Sequence, residues 1–358
     1  MNIVHIYRSM GQGGAQKVIL QLCKAQVNDG NRVWVISSGG FYEEDLREMG
    51  VTHISIPDIA SKNPIDILKC MRIIRKASKE IKTGIVHTHH RSAAFDVQIA
   101  CRGLKNIHLL YTSHNVFSGK CRMLRFALHK THVVAVGEDV KKNLVDYYGV
   151  PEKQVTVICN SVEKPDYNNK NALYERQEGA IYVGFIGRLT QVKGVDVLIK
   201  AFAKIEESRK NIKLFIIGDG EKAKEYKRLV EELELETVQF TGYRKDAMSL
   251  IASFDFIVLP SWQEGFPLTI IESFAYGKPV IATNIPGNNE LVSEGKNGLL
   301  ISPGDFEELS NKIIELCNSP SEIKRMGENA LSDYKEKYSY DAFIERYRIV
   351  YKKAGESQ

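Results

Sequence analysis

Cysteine is sparse and unpaired in this sequence. Its six cysteines, Cys23, Cys70, Cys101, Cys121, Cys159 and Cys317, include no CxxC spacing. In a chain of 358 residues that excludes a disulfide-stapled mini-fold, and it fits thiols kept reduced in a cytosol. Also missing is any apolar run near the roughly 18 residues a membrane-spanning helix needs. The opening MNIVHIYRSMGQGG has neither the basic start nor the long apolar core of a secretory signal, so structure is expected from residue 1. Proline is scarce (10 residues) and glycine ordinary (27), which excludes a collagen-like chain; an apolar fraction of 43% excludes a disordered one.

What is present is uneven. Residues 1–165 hold 23 basic and 14 acidic side chains, while residues 166–358 hold 26 and 30. All nine histidines lie at or before His132. The length and this asymmetry predict two domains, 1–165 and 166–338, joined through the polar, turn-rich stretch 163–179 and followed by a C-terminal helix within 339–358. The basic first half points to an anionic partner: a membrane surface, a lipid phosphate or nucleic acid.

In both halves short apolar runs alternate with stretches of helical spacing such as Ala15–Asp29 and Val195–Ser208. The strands expected in the first half are Ile3–Tyr7, Arg32–Ser37, Thr52–Ile56, Gly84–Thr88, His108–Thr112, His132–Val136 and Val155–Ile158. In the second they are Ile181–Ile186, Lys213–Ile217, Val238–Thr241, Phe256–Leu259, Pro279–Thr283 and Gly298–Ile301. The fold class is α/β, two doubly wound domains with parallel sheets, whose ligands bind at the carboxyl ends of the strands. The tail Tyr340–Lys353 reads as a helix with Phe343, Tyr347, Val350 and Tyr351 on one stripe.

Several strand ends carry chemistry. Gly11-Gln12-Gly13-Gly14 follows the first strand and opens a helix, where backbone can approach a phosphate. It lacks the third glycine of a dinucleotide fingerprint, which falls on Gln16, and no acid closes the second strand to bind a ribose. Arg188 and Lys193 follow the strand Ile181–Ile186, and together they balance the charge of a diphosphate. Gly218-Asp219-Gly220 is a further strand-end loop. Glu264 and Glu272 stand eight positions apart, one in a loop and one in the next helix, and suit different parts of one elongated ligand. Glu272 sits among Ile270, Ile271 and Phe274, so it needs partners, and ribose hydroxyls are suitable ones.

His87, His89, His90 and His114 follow two other strands. They read as polar groups of a binding site rather than as a metal centre, which needs a closed ligand set. The segment Phe117–His132 reads as a basic amphipathic helix fit to rest on anionic lipid, and Lys69, Arg72, Arg75, Lys76, Lys79 and Lys82 form a second basic set.

Together these motifs resemble the retaining GT-B glycosyltransferases, specifically glycosyltransferase family 4, the group 1 glycosyltransferases. The resemblance rests on Gly13–Gln16, Asn160-Ser161-Val162, GRLTQVKG at Gly187–Gly194, IIGDGE at Ile216–Glu221 and EGFPLTIIES at Glu264–Ser273. It implies two Rossmann-like domains facing across a cleft, with a nucleotide-sugar donor, expected to be a UDP-sugar, on the second and the acceptor on the first. It implies that the C-terminal helix crosses back to the first domain. Arg188 and Lys193 would hold the diphosphate, Glu264 the transferred sugar and Glu272 the ribose. Backbone at Gly265, Phe266, Leu268 and Thr269 would bind sugar and phosphate. Gly13 and Gly14 would close over the phosphates, and His114 would stand near the anomeric carbon. The expected catalytic set is therefore Glu264, His114, Arg188 and Lys193, with no metal and no cofactor.

Two positions depart from the family pattern. The loop Pro286-Gly287-Asn288-Asn289-Glu290 replaces a frequent Gly-Gly pair, and Ser161 replaces a frequent glycine. The expected activity is metal-independent, retaining hexosyl transfer to a glycan or polyprenyl-diphosphate-linked acceptor in bacterial surface polysaccharide synthesis, without a nucleic-acid partner. The expected location is the cytoplasm, peripheral to the inner membrane face. A sugar-nucleotide epimerase, a nicotinamide dehydrogenase and a non-enzymatic anion or nucleic-acid binder are the rival readings.

Overall fold

The computed structural model describes residues 1–82, 84–119, 121–166 and 175–356. Lys120 and the middle of the expected linker, 167–174, lie outside the described residues. The chain divides into two compact units, Met1–Asn160 with Asp341–Gln358, and Ser161–Tyr340.

The first unit is built on seven strands: β1 (Asn2–Ile6), β2 (Arg32–Ser37), β3 (Thr52–Ser55), β4 (Ile85–Thr88), β5 (His108–Ser113), β6 (His132–Ala135) and β7 (Val155–Val157). They lie in the order β3-β2-β1-β4-β5-β6-β7, every pair parallel. Strands such as β4 are buried along their whole length, as a parallel sheet covered on both faces requires. The order reverses between β1 and β4, which places the loops after them at the switch point.

Helices cover the sheet. The helix Pro64–Glu80 begins as its sequence prescribes, with Pro64 in the first turn and the Asn63 side chain accepting from the Ile65 amide at 3.0 Å. The helix Tyr340–Glu356 belongs almost wholly to this unit. Arg348 pairs with Asp29 at 2.6 Å, and Phe343, Tyr347, Val350 and Tyr351 are buried.

The second unit holds β8 (Ile181–Ile186), β9 (Ile212–Ile217), β10 (Val238–Gly242), β11 (Phe256–Leu259), β12 (Val280–Thr283) and β13 (Gly298–Ile301). Their order is β10-β9-β8-β11-β12-β13, again parallel throughout. Its switch point lies between β8 and β11. Both units are therefore Rossmann-like α/β sheets, and every expected strand forms, most with ends displaced by a residue.

One expected element is shorter than its pattern. The segment Phe117–His132 is helical only over Cys121–Ala127. Leu124, Ala127 and Leu128 turn into the core, and Lys130 takes a positive φ of 58° that ends the segment before β6. Its charged face survives as Arg122, Arg125, His129 and Lys130, with Phe126 exposed among them.

Candidate active site

The second unit gathers its polar residues where β8, β11 and β12 end. The loop after β8 is held from both sides. The Leu189 amide donates to the Asp219 carbonyl at 2.9 Å, and the Trp262 amide donates to the Val192 carbonyl at 2.8 Å. Just past these anchors the chain turns through Gly194, whose φ of 63° lies in the left-handed region. A Cβ there would come closer than 3.0 Å to the Pro260 carbonyl oxygen. Glycine at this position is what lets the β8 loop lie directly against the β11 loop.

That approach sets Lys193 opposite Glu264. Lys193 Nζ lies 2.6 Å from Glu264 Oε1, and the Ser261 hydroxyl donates to the same oxygen at 2.7 Å. The two charged side chains are 21% and 10% exposed, so the pair is shielded yet reachable. A polar ladder continues behind it. Thr283 Oγ1 donates to the Ser261 carbonyl at 2.6 Å, and Asn288 Nδ2 donates to Thr283 Oγ1 and to its carbonyl at 3.0 Å. Gly287 packs on the Gly265 carbonyl, and its φ of 85° again leaves no room for a side chain. The loop that departs from the family pattern thus buttresses Gly265 from behind. Its Asn288 is fully buried, and its Oδ1 has no partner among the described residues.

Pro267 leads into the helix Leu268–Ala275. Its start is tied to the end of β8 by Thr269 Oγ1, which donates to the Ile186 carbonyl at 3.3 Å. The first-turn amides of Leu268 and Thr269 have no helical carbonyl to bond and carry the positive end of the helix dipole. The Phe266 and Leu268 side chains are buried, so only their backbone is available to a ligand. Glu272 is 3% exposed on this helix. Arg188 stands exposed on the Lys193 loop and makes no ion pair among the described residues.

The first unit offers a second polar group at its own switch point. Gly13 precedes the helix Gly14–Asn28 in extended conformation, half-buried, and Gly14 is exposed. His89 follows β4, with its amide donating to the Ile6 carbonyl at 3.0 Å, and His114 follows β5. His89 Nδ1 and His114 Nε2 are 3.1 Å apart. Burial pushes the His114 imidazole down to about 4, and it holds His87 and His89 well below the ordinary value, so all three are neutral at pH 7. His90 instead caps the helix Arg91–Ala100 by accepting from the Ser92 amide at 3.3 Å.

The sequence reading left out His5 and Gln26, which join this group from β1 and the first helix. It also left out Ser261, Thr283 and Asn288. A histidine inside the apolar run Ile3-Val4-His5-Ile6 was the available signal for the first; nothing local marks the others. His5, His87 and His89 bring ring nitrogens within 4.8 Å of one another, and each of these rings is already engaged in hydrogen bonds to the protein.

Comparison with known proteins gives a consistent picture. Residues 12–164 match a family model described as Glycosyltransferase Family 4, and residues 166–333 match one described as Glycosyl transferases group 1. The UDP-Gal:alpha-D-GlcNAc-diphosphoundecaprenol alpha-1,3-galactosyltransferase of Escherichia coli is 26% identical over 349 residues, covering 89% of this chain and 88% of the relative. A glycosyltransferase structure from Rickettsia africae superposes with a TM-score of 0.86 at 25% identity, covering 100% and 99% of the two chains. Anabaena HepE in complex with UDP-glucose superposes with a TM-score of 0.83 at 22% identity, covering 99% and 100%.

Proposed function

Because the chain belongs to the group 1 glycosyltransferases of glycosyltransferase family 4, with a GT-B pair of Rossmann-like units, we propose that it transfers a hexosyl group from a UDP-sugar to a lipid-linked glycan, with retention at the anomeric carbon and without a metal. The observation that carries this reading is the Lys193–Glu264 pair at the switch point of the second sheet. A shielded cation and carboxylate side by side suit a ligand that is anionic at one end and hydroxylated at the other. Lys193 and the exposed Arg188 take the diphosphate, Glu264 takes the hydroxyls of the transferred sugar, and Glu272 takes the ribose. The amides of Gly265, Phe266, Leu268 and Thr269 serve sugar and phosphate.

Cleaving the sugar–phosphate bond builds negative charge on the leaving diphosphate. Cations fixed in place before that charge develops stabilise it without reorganising, which is the work a metal does in other transferases. For the first unit the same proposal assigns phosphate binding to the backbone of Gly13 and Gly14, and contact with the reacting sugar to His114. The Escherichia coli relative acts on a diphosphoundecaprenol-linked sugar, and HepE binds UDP-glucose; both support the donor and acceptor classes named here.

The acceptor places the enzyme at a membrane surface. Among the described residues no helix is long and apolar enough to cross a membrane. The helix Pro64–Glu80 instead exposes Ile65 and Leu68 beside Lys69, Arg72, Lys76 and Lys79. Each basic residue near an anionic surface adds about 1 kcal/mol, enough in sum for reversible docking. The test is incubation with UDP-hexoses and a polyprenyl-diphosphate-linked sugar, with the new anomeric linkage read by NMR coupling constants. Transfer with retained configuration that survives EDTA is expected. An inverted product, or loss of transfer in EDTA, contradicts the mechanism.

A further inference from the structure

The first unit holds a file of imidazoles that nucleotide-sugar transfer alone does not explain. The β1–β4 register pairs His5 with His87, and His89 follows two positions on. Gln26 Oε1 lies 2.8 Å from His5 Nε2, His5 Nδ1 lies 3.0 Å from His89 Nε2, and His89 Nδ1 lies 3.1 Å from His114 Nε2. Gln26, His5 and His89 are each at least 95% buried, and burial holds His5 at about 4, so the file is neutral at pH 7.

A neutral imidazole has one donor nitrogen and one acceptor nitrogen, so fixing a single proton fixes the whole file. The Gln26 carbonyl oxygen only accepts. With Gln26 turned so that this oxygen faces His5, His5 carries its proton on Nε2 and accepts at Nδ1. His89 donates from Nε2 and accepts at Nδ1, and His114 donates from Nε2. That leaves His114 Nδ1 as a lone pair, which nothing among the described residues bonds. His87 stands beside the file and is hydrogen-bonded to it through the Tyr351 hydroxyl, which also bonds Gln26. Its ring lies 3.9 Å from that of His89, and its nitrogens bond the Tyr351 hydroxyl at 2.6 Å and Thr112 Oγ1 at 2.8 Å. Two residues of the C-terminal helix close this flank, since Tyr347 reaches Thr112 at 3.2 Å.

We propose that Gln26, His5 and His89 are positioning residues that lock His114 in the Nε2–H tautomer, so that it presents a bare Nδ1 to accept a hydrogen bond from a hydroxyl of the bound carbohydrate. This rests on the reading of His114 as the sugar-facing group of the first unit. The lock keeps His114 from acting as a donor, so it favours a ligand with a hydroxyl at that point over one with an acceptor group alone. It also fixes the ring plane before the ligand arrives, which limits the reorganisation needed on binding.

The test is a long-range proton–nitrogen NMR correlation on the full chain labelled with ¹⁵N-histidine, with signals assigned by single substitutions. His5, His89 and His114 are expected as Nε2–H tautomers at neutral pH. His89→Leu should free His114 to sample both tautomers. It should lower kcat by about 10- to 100-fold, with KM for the nucleotide sugar unchanged within about twofold. His89→Gln, which offers one donor and one acceptor, should restore both the tautomer and most of kcat. Nδ1–H or a tautomer mixture at His114 in the wild type overturns the proposal. So does a His89→Gln protein, folded by circular dichroism, that behaves like His89→Leu. The spectrum needs no substrate, so failure of transfer with every donor would count against the proposed function alone. A mixed tautomer in an active transferase would count against this inference alone.

Discussion

Gly194 is where the architecture of the proposed donor site rests on a single hydrogen atom. Replacing it with alanine has two separable costs. A left-handed backbone costs an L-residue about 1–2 kcal/mol. The added Cβ also overlaps the Pro260 carbonyl, a backbone atom that moves only by displacing the β11 loop, and relieving such overlap costs about 1–3 kcal/mol. The sum is about 3 kcal/mol. Gly179 supplies the control, because its φ is +73° and an added Cβ would meet nothing within 4 Å. Gly179→Ala should therefore show only the backbone cost, about 1 kcal/mol. For a unit of this size each kcal/mol shifts Tm by about 2–4 °C, so the two variants should fall by about 6–12 °C and about 2–4 °C. Urea unfolding gives the free energies, read from Trp262 in a Trp34→Phe background so that only the second unit reports. Gly194→Ala should also weaken UDP binding, because the displaced loop carries Lys193. If the two alanine variants differ by less than about 0.5 kcal/mol, the account of how the β8 and β11 loops are held together is wrong.

Other expectations follow from the same contacts. Arg188→Ala should lower kcat by about 100- to 1,000-fold in a transfer assay. Glu272→Ala should instead weaken UDP-sugar binding by about 10- to 100-fold in calorimetry. Tyr351→Phe strands a buried His87 nitrogen and should destabilise the first unit by about 1–3 kcal/mol, whereas Arg348→Ala, which breaks half-exposed ion pairs with Asp29 and Glu345, should cost under about 1 kcal/mol. Stability should also depend on acid. The unfolded chain protonates His5 and His114 near 6.5, but the folded unit does so only near 4, so stability is whole above pH 6.5 and is lost as pH falls toward 4. Asp96, raised to about 7 by burial, works in the opposite sense, one group against the four of the histidine cluster. Thermal melts from neutral pH to about 4 should show the fall in wild type and a flatter profile in His5→Leu; equal slopes would refute the assignment.

The sequence made the sheets legible because each strand is a short Val/Ile-rich run closed by glycine or polar residues, as in Ile181–Ile186 before Gly187. The loops after β8 and β11 were legible for the same reason, since their residues lie next to one another in the chain. The segment Phe117–His132 misled because its basic residues continue a helical spacing past Ala127, where Leu128 turns inward and Lys130 takes a positive φ. His89 and His114 were legible as strand-end histidines, but their joining with His5 and Gln26 into one file was not. It depends on β1 lying beside β4 and β4 beside β5, a neighbourhood set by sheet topology rather than by any local spacing. Tyr351 reaches His87 from 264 positions away. The ladder Ser261–Thr283–Asn288 escaped notice for a related reason: each is an ordinary polar residue until two loops are brought together.

The central claim is that the second unit is a nucleotide-sugar site built on Lys193, Glu264 and Glu272. The most direct test is a thermal-shift panel of UDP, GDP and ADP, their sugar conjugates and NAD, run on wild type and on Glu272→Ala. A ligand at 100 times its Kd stabilises the native state by about 2.7 kcal/mol, which is readily visible. The account predicts a shift with uridine nucleotides that Glu272→Ala cuts to about half or less. No shift with any nucleotide sugar, or a shift with NAD instead, would contradict it.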